Sequence, residues 1–556
     1  MRDRILRFVV YAGVGVLTGL VVAVVELVAV EWLLHDVLEA PLWVRVITPG
    51  LGLLFAVLFL RWVGKGMSPA TSEEYIAAYH DRRPRIRTRD LLVRLPAGAA
   101  TVGGGAAVGL EGPSIYAGAS IGASIQTRLR WLFRDKDNKA LMVAGAAAGV
   151  AAIFKAPATG VLFALESPYQ GDVARRALLP ALIASAASYV TFVAFFGTGE
   201  IFDADEILGS VGGDELLAFD RTELWGAAVV GLFAGAGAVI FTRLLALAKR
   251  ASTDIVWWQR VAGGAIALGG LVLLTDVLYD GEPLSMGPSA GESILEWVLE
   301  PGHGIGLLLV LLAIRMVATT VSIGAGGVGG VFIPLAVFGL ITGRIVGELV
   351  ADENALRLFP FIGLAAFLGA GYRTPLTSVM FVAESTGATE FVVPGLIAVA
   401  VSQVVVGGAS VSSYQRATRS GHLERRFRLP VTSVLRTDVE TIPPDTTLND
   451  FVWNHALRRK EMVGVVVDEG RYIGMCQVPD ASDVDRDAWG TVPVSRIMRA
   501  VRPARLSMTL REATAVMEEQ GLDKIPVTDG NGQFIGVVTS DDIVRLDEIL
   551  EETSQA

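Results

Sequence analysis

The sequence predicts a polytopic α-helical membrane protein, built from two repeated halves with broken helices and followed by a soluble α/β module. Three observations carry that prediction. The chain is 52% hydrophobic with 62 glycines in 556 residues, too apolar for a soluble domain of its length. A segment in its first half recurs in its second. The apolar patterning stops near Arg416 and gives way to an acidic tail. The expected division is a membrane domain over about 1–424, with halves at about 1–200 and 220–415, and a soluble module over 425–556.

In chain order, apolar runs at 8–30, 42–63, 178–196, 224–247, 261–278 and 305–323 are each long enough to span a bilayer. Others, at 114–125, 141–154, 160–165, 331–349 and 361–370, are shorter or interrupted by glycine and proline. Broken helices are tolerated at membrane depth only where they line a cavity, which points to a transport protein. The first run is too long for a signal-peptide core, and no small-residue cleavage site follows it. Its leader, Met1-Arg2-Asp3-Arg4-Ile5-Leu6-Arg7, is basic, as is the segment 81–89. Both are expected to face the cytoplasm, with the soluble tail on the same side. The compact loops suggest a prokaryotic plasma membrane.

Gly109-Leu110-Glu111-Gly112-Pro113 places one carboxylate inside a stretch whose flanks, 97–108 and 114–125, carry no charge. An ionisable group at membrane depth is costly and marks an ion or proton pathway. The flanking glycines allow a backbone and a permeant ion to approach closely.

Lys155-Ala156-Pro157-Ala158-Thr159-Gly160-Val161-Leu162-Phe163-Ala164-Leu165-Glu166-Ser167 recurs without a gap 218 residues on, as Arg373-Thr374-Pro375-Leu376-Thr377-Ser378-Val379-Met380-Phe381-Val382-Ala383-Glu384-Ser385. Likewise Gly109 to Pro113 is matched by Gly330-Val331-Phe332-Ile333-Pro334, 221 residues later. Interrupted segments at corresponding positions of two halves point to a site where the halves meet. Each glycine–proline segment opens a helix whose free N–H groups and positive dipole end can hold an anion without a fixed positive charge. Glu166 and Glu384 have a structural role open to them as caps of helix ends.

From Phe427 onward there are 22 Asp+Glu against 14 Lys+Arg, so most of the net charge of −10 belongs to the soluble module. With no basic patch, nucleic acid is excluded as a partner. The single Cys476 excludes an intramolecular disulfide and a cysteine metal cluster, and the five histidines show no zinc spacing. Strand-like pairs at 463–468 with 472–475 and at 524–529 with 534–538, each preceded by a helical segment, recur roughly 60 residues apart. The module resembles a tandem pair of CBS domains, at about 430–482 and 493–552. In that family a threonine and an aspartate hold a nucleotide's ribose, here Thr539 and Asp542 of the second copy. The first copy carries Gln477 where the threonine would stand. The resemblance leaves two roles open, binding of an adenine nucleotide or support of dimerisation.

The two glycine–proline motifs at this separation, the Arg373-Thr374-Pro375-Leu376-Thr377 segment and the late tyrosine in Ser412-Ser413-Tyr414 resemble the CLC chloride channels and chloride/proton exchangers. The resemblance covers almost the whole chain. It implies a homodimer in the lipid bilayer with one pore per subunit, and chloride as the permeant ion with no required cofactor. Glu111 would be the gating glutamate, competing with chloride for one site. The Val331 and Phe332 amides and the Tyr414 hydroxyl would hold a central chloride. Gly109, Gly112, Pro113, Gly330 and Pro334 would shape the selectivity segments. The family's first anion-site motif is not intact here. Ser68 is the first choice for its hydroxyl, with Thr71 and Ser72 behind it. Exchangers of the family commonly carry an inner proton-transfer glutamate where this chain has Ser167. The expectation is a chloride channel gated by Glu111, regulated by the CBS pair. The alternative is a chloride/proton antiporter in which Glu166 substitutes for the missing acid. Pro113 and Tyr414 speak against a fluoride exchanger.

Two other classes fit poorly. Gly324-Ala325-Gly326-Gly327-Val328-Gly329 matches a dinucleotide-binding pattern but sits between membrane-length runs, so no enzyme is expected. A CBS-bearing divalent-cation transporter would need clustered intramembrane acids, and here they are few and separated.

Overall fold

The computed structural model describes residues 2–81, 86–133, 139–198, 221–288, 293–300, 302–350, 356–387, 391–416, 427, 429–459, 461–543 and 545–546. Residues 82–85 of the second basic segment, Arg425 and Arg426, the boundary near residue 200 and the end of the second CBS copy lie outside them. The chain divides into two compact units, Met1–Arg419 and Ser420–Ala556.

The first unit is helical. Its first half contains α1 (Arg2–Glu26), which continues through a π-helical stretch at Leu27–Leu34, then α2 (Leu42–Trp62), α3 (Ser72–His80) and α4 (Leu91–Gly103). These are followed by α5 (Glu111–Arg128), α6 (Ala140–Ile153), α7 (Pro157–Glu166) and α8 (Leu178–Phe196). The second half contains α9 (Arg221–Asp254), α10 (Trp257–Leu278), α11 (Ser293–Leu299) and α12 (Ile305–Gly324). It ends with α13 (Phe332–Val350), α14 (Phe359–Tyr372), α15 (Pro375–Thr386) and α16 (Val392–Val406). Among the described residues seven helices are long and apolar enough to cross a membrane.

Two segments expected to be broken differ. The run at 114–125 is the middle of the 18-residue α5, and that at 331–349 lies, from Phe332 on, in the 19-residue α13. Pro113 and Pro334 do not interrupt these helices because each falls in a first turn, where a missing N–H breaks no helical bond. Each proline marks where its helix starts.

The repeat extends into the packing. Gly118 and Gly122 of α5 lie against the backbone of Gly145 and Leu141 in α6, so closely that a Cβ on either would overlap a carbonyl. Gly339 and Gly343 of α13 make the equivalent approach to Gly363 and Phe359 of α14. Small residues at such crossings let backbones meet without side chains between them.

At the join of the halves, Gly109 and Gly330 pair as an isolated antiparallel bridge, the amide of Gly109 donating to the Gly330 carbonyl at 3.0 Å and the reverse bond at 2.8 Å. A second join is reciprocal. Glu166, at the end of α7, accepts from the amides of Leu376 and Thr377 and from the Thr377 hydroxyl, at the start of α15. Glu384, in α15, accepts from the amides of Ala158 and Thr159 and from the Thr159 hydroxyl, at the start of α7. Each half thus caps a helix of the other with a carboxylate placed at the positive dipole end.

The second unit contains two sheets of the same topology. In the first, β1 (Thr441–Ile442) runs parallel to β2 (Val463–Asp468), which pairs antiparallel with β3 (Arg471–Gln477). In the second, β4 (Ala504–Arg505), β5 (Lys524–Thr528) and β6 (Phe534–Thr539) repeat that order. The helix of the second copy, α17 (Leu510–Gln520), opens with a reciprocal capping box between Thr509 and Glu512.

Candidate anion site

Glu111 is the first residue of α5 and is 1% exposed. Its Oε1 accepts from the amide of Phe332, the first residue of α13, at 2.5 Å. Its Oε2 is buried with no hydrogen-bond partner among the described residues. A Cβ on Gly109 or on Gly330 would overlap this carboxylate, which is why both positions are glycine. The side chain therefore reaches across the join and takes an N–H at a helix start, the kind of donor that suits an anion.

Aromatic rings pack around that helix start. Phe332 stacks on Phe154 at 4.5 Å between centroids and meets Phe163 and Phe381 at 5.5 and 5.0 Å. Phe163 and Phe381 are equivalent in the repeat, as are Phe154 and Tyr372. The latter pair bears on the site, because Tyr372 is 2% exposed and its hydroxyl faces the Val331 amide and the Ser72 side chain. Sequence reasoning passed over Tyr372. The signal was present, since it stands one residue before the basic-x-Pro segment of the repeat.

The tyrosine singled out from the sequence lies elsewhere. Tyr414 is 51% exposed, beyond the end of α16, at the mouth of a cavity of about 450 Å³. That places Tyr372, not Tyr414, beside Val331. The chain makes a loop after Val406 that carries Tyr414 to the surface, while α14 drives Tyr372 inward. Ser68 lines the same cavity. It is exposed, and its hydroxyl accepts from the Ala70 amide at 3.1 Å, closing a local turn. Thr71 is instead 2% exposed, with a hydroxyl that has no partner among the described residues, and it abuts Gly112. Arg94 holds this loop by donating to the Ala70 carbonyl and to Glu74, both at 2.6 Å.

Ser167 is fully buried, its hydroxyl without a partner among the described residues and its carbonyl accepting from Gln415. Glu166 beside it is committed to the α15 start. On the other side of Glu111, a cavity of about 340 Å³ is lined by Gly109, Leu110 and Glu111 and by the charged residues Glu26, Glu31 and Lys155. In the second unit, Thr539 donates to Asp542 at 2.6 Å and Arg436 donates to the same carboxylate at 2.9 Å. The equivalent aspartate of the first copy, Asp480, pairs with Arg499. Each arginine belongs to the segment before the other copy's first strand and is held there by a bridge, Arg436 to Val537 and Arg499 to Met475.

Residues 52–407 match the family described as voltage gated chloride channel, and residues 494–548 match the CBS domain. Among solved structures, the chain is similar to a slow cyanobacterial Cl-/H+ antiporter at 20% identity and TM-score 0.61, covering 73% of this chain and 96% of that one. A CLC-type fluoride/proton antiporter is similar at 20% identity and TM-score 0.61, covering 74% and 98%. A eukaryotic CLC transporter is similar at 18% identity and TM-score 0.58, covering 98% and 99%. At these identities the likeness is one of fold. With more than half of its length matched and two helix starts meeting at a buried glutamate, the chain belongs to the voltage gated chloride channel family, as a CLC-type integral membrane anion-transport protein with a C-terminal CBS region.

Proposed function

We propose that this protein conducts chloride passively through a pathway gated by Glu111. The observation that carries the reading is the chemistry on one side of the gate. The position of the usual inner acid holds the buried Ser167, and the adjacent Glu166 is bound at a helix start. A hydroxyl does not titrate near neutral pH, and a carboxylate fixed by three donors is poorly placed to shuttle a proton. The Glu111 carboxylate takes the Phe332 amide that a permeating anion would use. Protonation or chloride pressure then moves it away. Val331, Tyr372, Ser72 and Thr71 form the next polar surface, and Gly109, Gly112, Pro113, Gly330 and Pro334 keep the helix starts close.

In this reading the protein is a homodimer in a prokaryotic plasma membrane, with its N-terminus and CBS pair in the cytoplasm. The pair regulates conduction. A nucleotide at Thr539 and Asp542 would have to displace Arg436. Purified protein in liposomes tests the mechanism. A chloride gradient is expected to drive chloride flux without uphill proton movement. Uphill proton movement overturns passive conduction and establishes exchange, and preferential fluoride flux overturns the choice of anion. Glu111→Gln is expected to keep chloride flux and lose its pH dependence; wild-type pH dependence in that variant would remove Glu111 as the gate.

A further inference from the structure

The two copies in the soluble unit hold each other by a reciprocal pair of arginines. Arg436, in the segment before β1, reaches the aspartate that follows β6, its Nε donating to Asp542 Oδ1 at 2.9 Å. Arg499, in the segment before β4, pairs in the same way with Asp480, which follows β3. Arg499 comes 63 residues after Arg436 and Asp542 comes 62 after Asp480, so the crossing obeys the internal repeat. Both segments are fixed through their backbones. Arg436 and Val537 exchange two amide–carbonyl bonds, at 3.0 and 2.9 Å, and Arg499 and Met475 exchange two at 2.8 and 3.0 Å. Gly536 and Gly474 permit that approach, because a Cβ would come within 2.2 Å of the Arg436 carbonyl oxygen and 2.9 Å of the Arg499 one. The side chains of Asp542 and Asp480 are 12% and 6% exposed, against 54% and 67% for their arginines. Asp542 is engaged on both oxygens, since Thr539 donates to Oδ2 at 2.6 Å. Asp480 is engaged on one; Gln477 stands in place of the threonine, and Oδ2 is buried without a partner among the described residues.

We propose that Arg436 and Arg499 are built-in ligands of these two carboxylates, so that the pair is locked in one arrangement and closed to nucleotides by its own side chains. A ribose offers a carboxylate neutral hydroxyl donors, whereas a guanidinium offers charged N–H donors, whose hydrogen bonds are about twice as strong. The arginines are also tethered. An exposed ion pair is weakened by the entropy of fixing two long side chains in one geometry. Here the bridges to Val537 and Met475 have already fixed the backbone on one side, and burial has fixed the aspartate on the other. A competitor attached in this way acts at an effective concentration on the order of millimolar. A free nucleotide therefore has to outcompete Arg436 before it reaches Asp542. The two crossings are interdependent, because opening either one exposes a carboxylate of one copy and frees the segment that leads into the first strand of the other. The lock lies wholly within the soluble unit and does not depend on how the membrane unit conducts.

Equilibrium dialysis of radiolabelled ATP and AMP against the full-length protein in detergent tests the lock. The wild-type protein is expected to show no saturable binding below about 1 mM, and Arg436→Ala to bind about tenfold more tightly or better. Adding Asp542→Asn to Arg436→Ala should abolish that binding. Arg436→Lys, which keeps the charge but loses the fork, should fall between wild type and Arg436→Ala. Arg499→Ala should leave the Asp542 site closed. Amide exchange at Val537 in each variant shows whether the bridge survives. Nucleotide binding by the wild type that Arg436→Ala leaves unchanged or weakens would make Arg436 a bystander or a phosphate ligand, and would overturn the proposal. So would an absence of binding in Arg436→Ala with Val537 still protected, since the arginine would then not be what keeps nucleotides out. Should Val537 lose protection in Arg436→Ala, Arg436→Lys is read in its place, and the same two results count against the lock. No ion flux enters this measurement, so failure of the lock and failure of Glu111 as the gate are told apart.

Discussion

At the scale of single residues, Glu111 shows how a costly charge is accommodated. Its carboxylate has lost water but gained the Phe332 amide at a helix start, and glycines on both approaching strands leave room for it. One oxygen remains without a partner among the described residues, so the seat is incomplete and the side chain can be displaced. The two tyrosines give a direct comparison. Tyr372→Phe removes the hydroxyl that faces Val331 and Ser72, and is expected to reduce chloride conductance by about tenfold, the loss of one hydrogen bond to an anion. Tyr414→Phe, at an exposed position, is expected to change it little; single-channel or liposome flux measurements on both variants decide between them. In the soluble unit, burial pushes the Cys476 thiol up to about 12. Iodoacetamide is therefore expected not to modify Cys476 at pH 8 until that unit is unfolded, which mass spectrometry with and without denaturant would check.

At the scale of elements, close approach and end-capping do most of the positioning. The α5–α6 and α13–α14 crossings use glycines at matching places, so a side chain at either crossing should act on the helix start it supports. Gly118→Leu and Gly339→Leu are expected to abolish a folded membrane unit, seen as aggregation on size-exclusion chromatography in detergent. Helix α17 depends on a different device. Removing its cap with Thr509→Ala is expected to cost about 1 kcal/mol, read as faster amide exchange along α17. The partner Glu512 has its carboxyl held below the usual value by the Thr509 amide and hydroxyl. The contribution of a group depressed on folding is present above its unfolded value of 4.5 and is lost as pH falls through its folded value. Protection of α17 should therefore decline below about pH 4.5, and Glu512→Gln should flatten that decline.

At the scale of the whole molecule, the reciprocal caps tie the two halves together. Glu166 and Glu384 each satisfy three donors at a helix start of the opposite half. Glu166→Ala and Glu384→Ala are each expected to cost about 2–3 kcal/mol, since buried donors are left without an acceptor. Thermal unfolding in detergent should show similar losses for the two, because their environments repeat. A large loss for one and none for the other would refute the equivalence.

Much of this was legible from the chain alone. Length and apolar runs dictate membrane helices, because burying that much surface in water has no other solution. The repeat of Lys155–Ser167 at Arg373–Ser385 and the two glycine–proline segments already specify two helix starts and one intervening carboxylate. The alternating strands near residues 463–477 and 524–539 specify the paired sheets. Tertiary structure alone decided which polar groups meet. Whether Tyr372 or Tyr414 lies beside Val331, and whether Thr71 or Ser68 is buried, depends on how loops fold back over the helix starts, and a linear spacing does not encode that path. The same holds for Glu166, whose hydrogen-bond donors are supplied by a segment more than two hundred residues away. A local pattern determines which elements form; which side chains come to share a cavity is set by packing between elements distant in sequence.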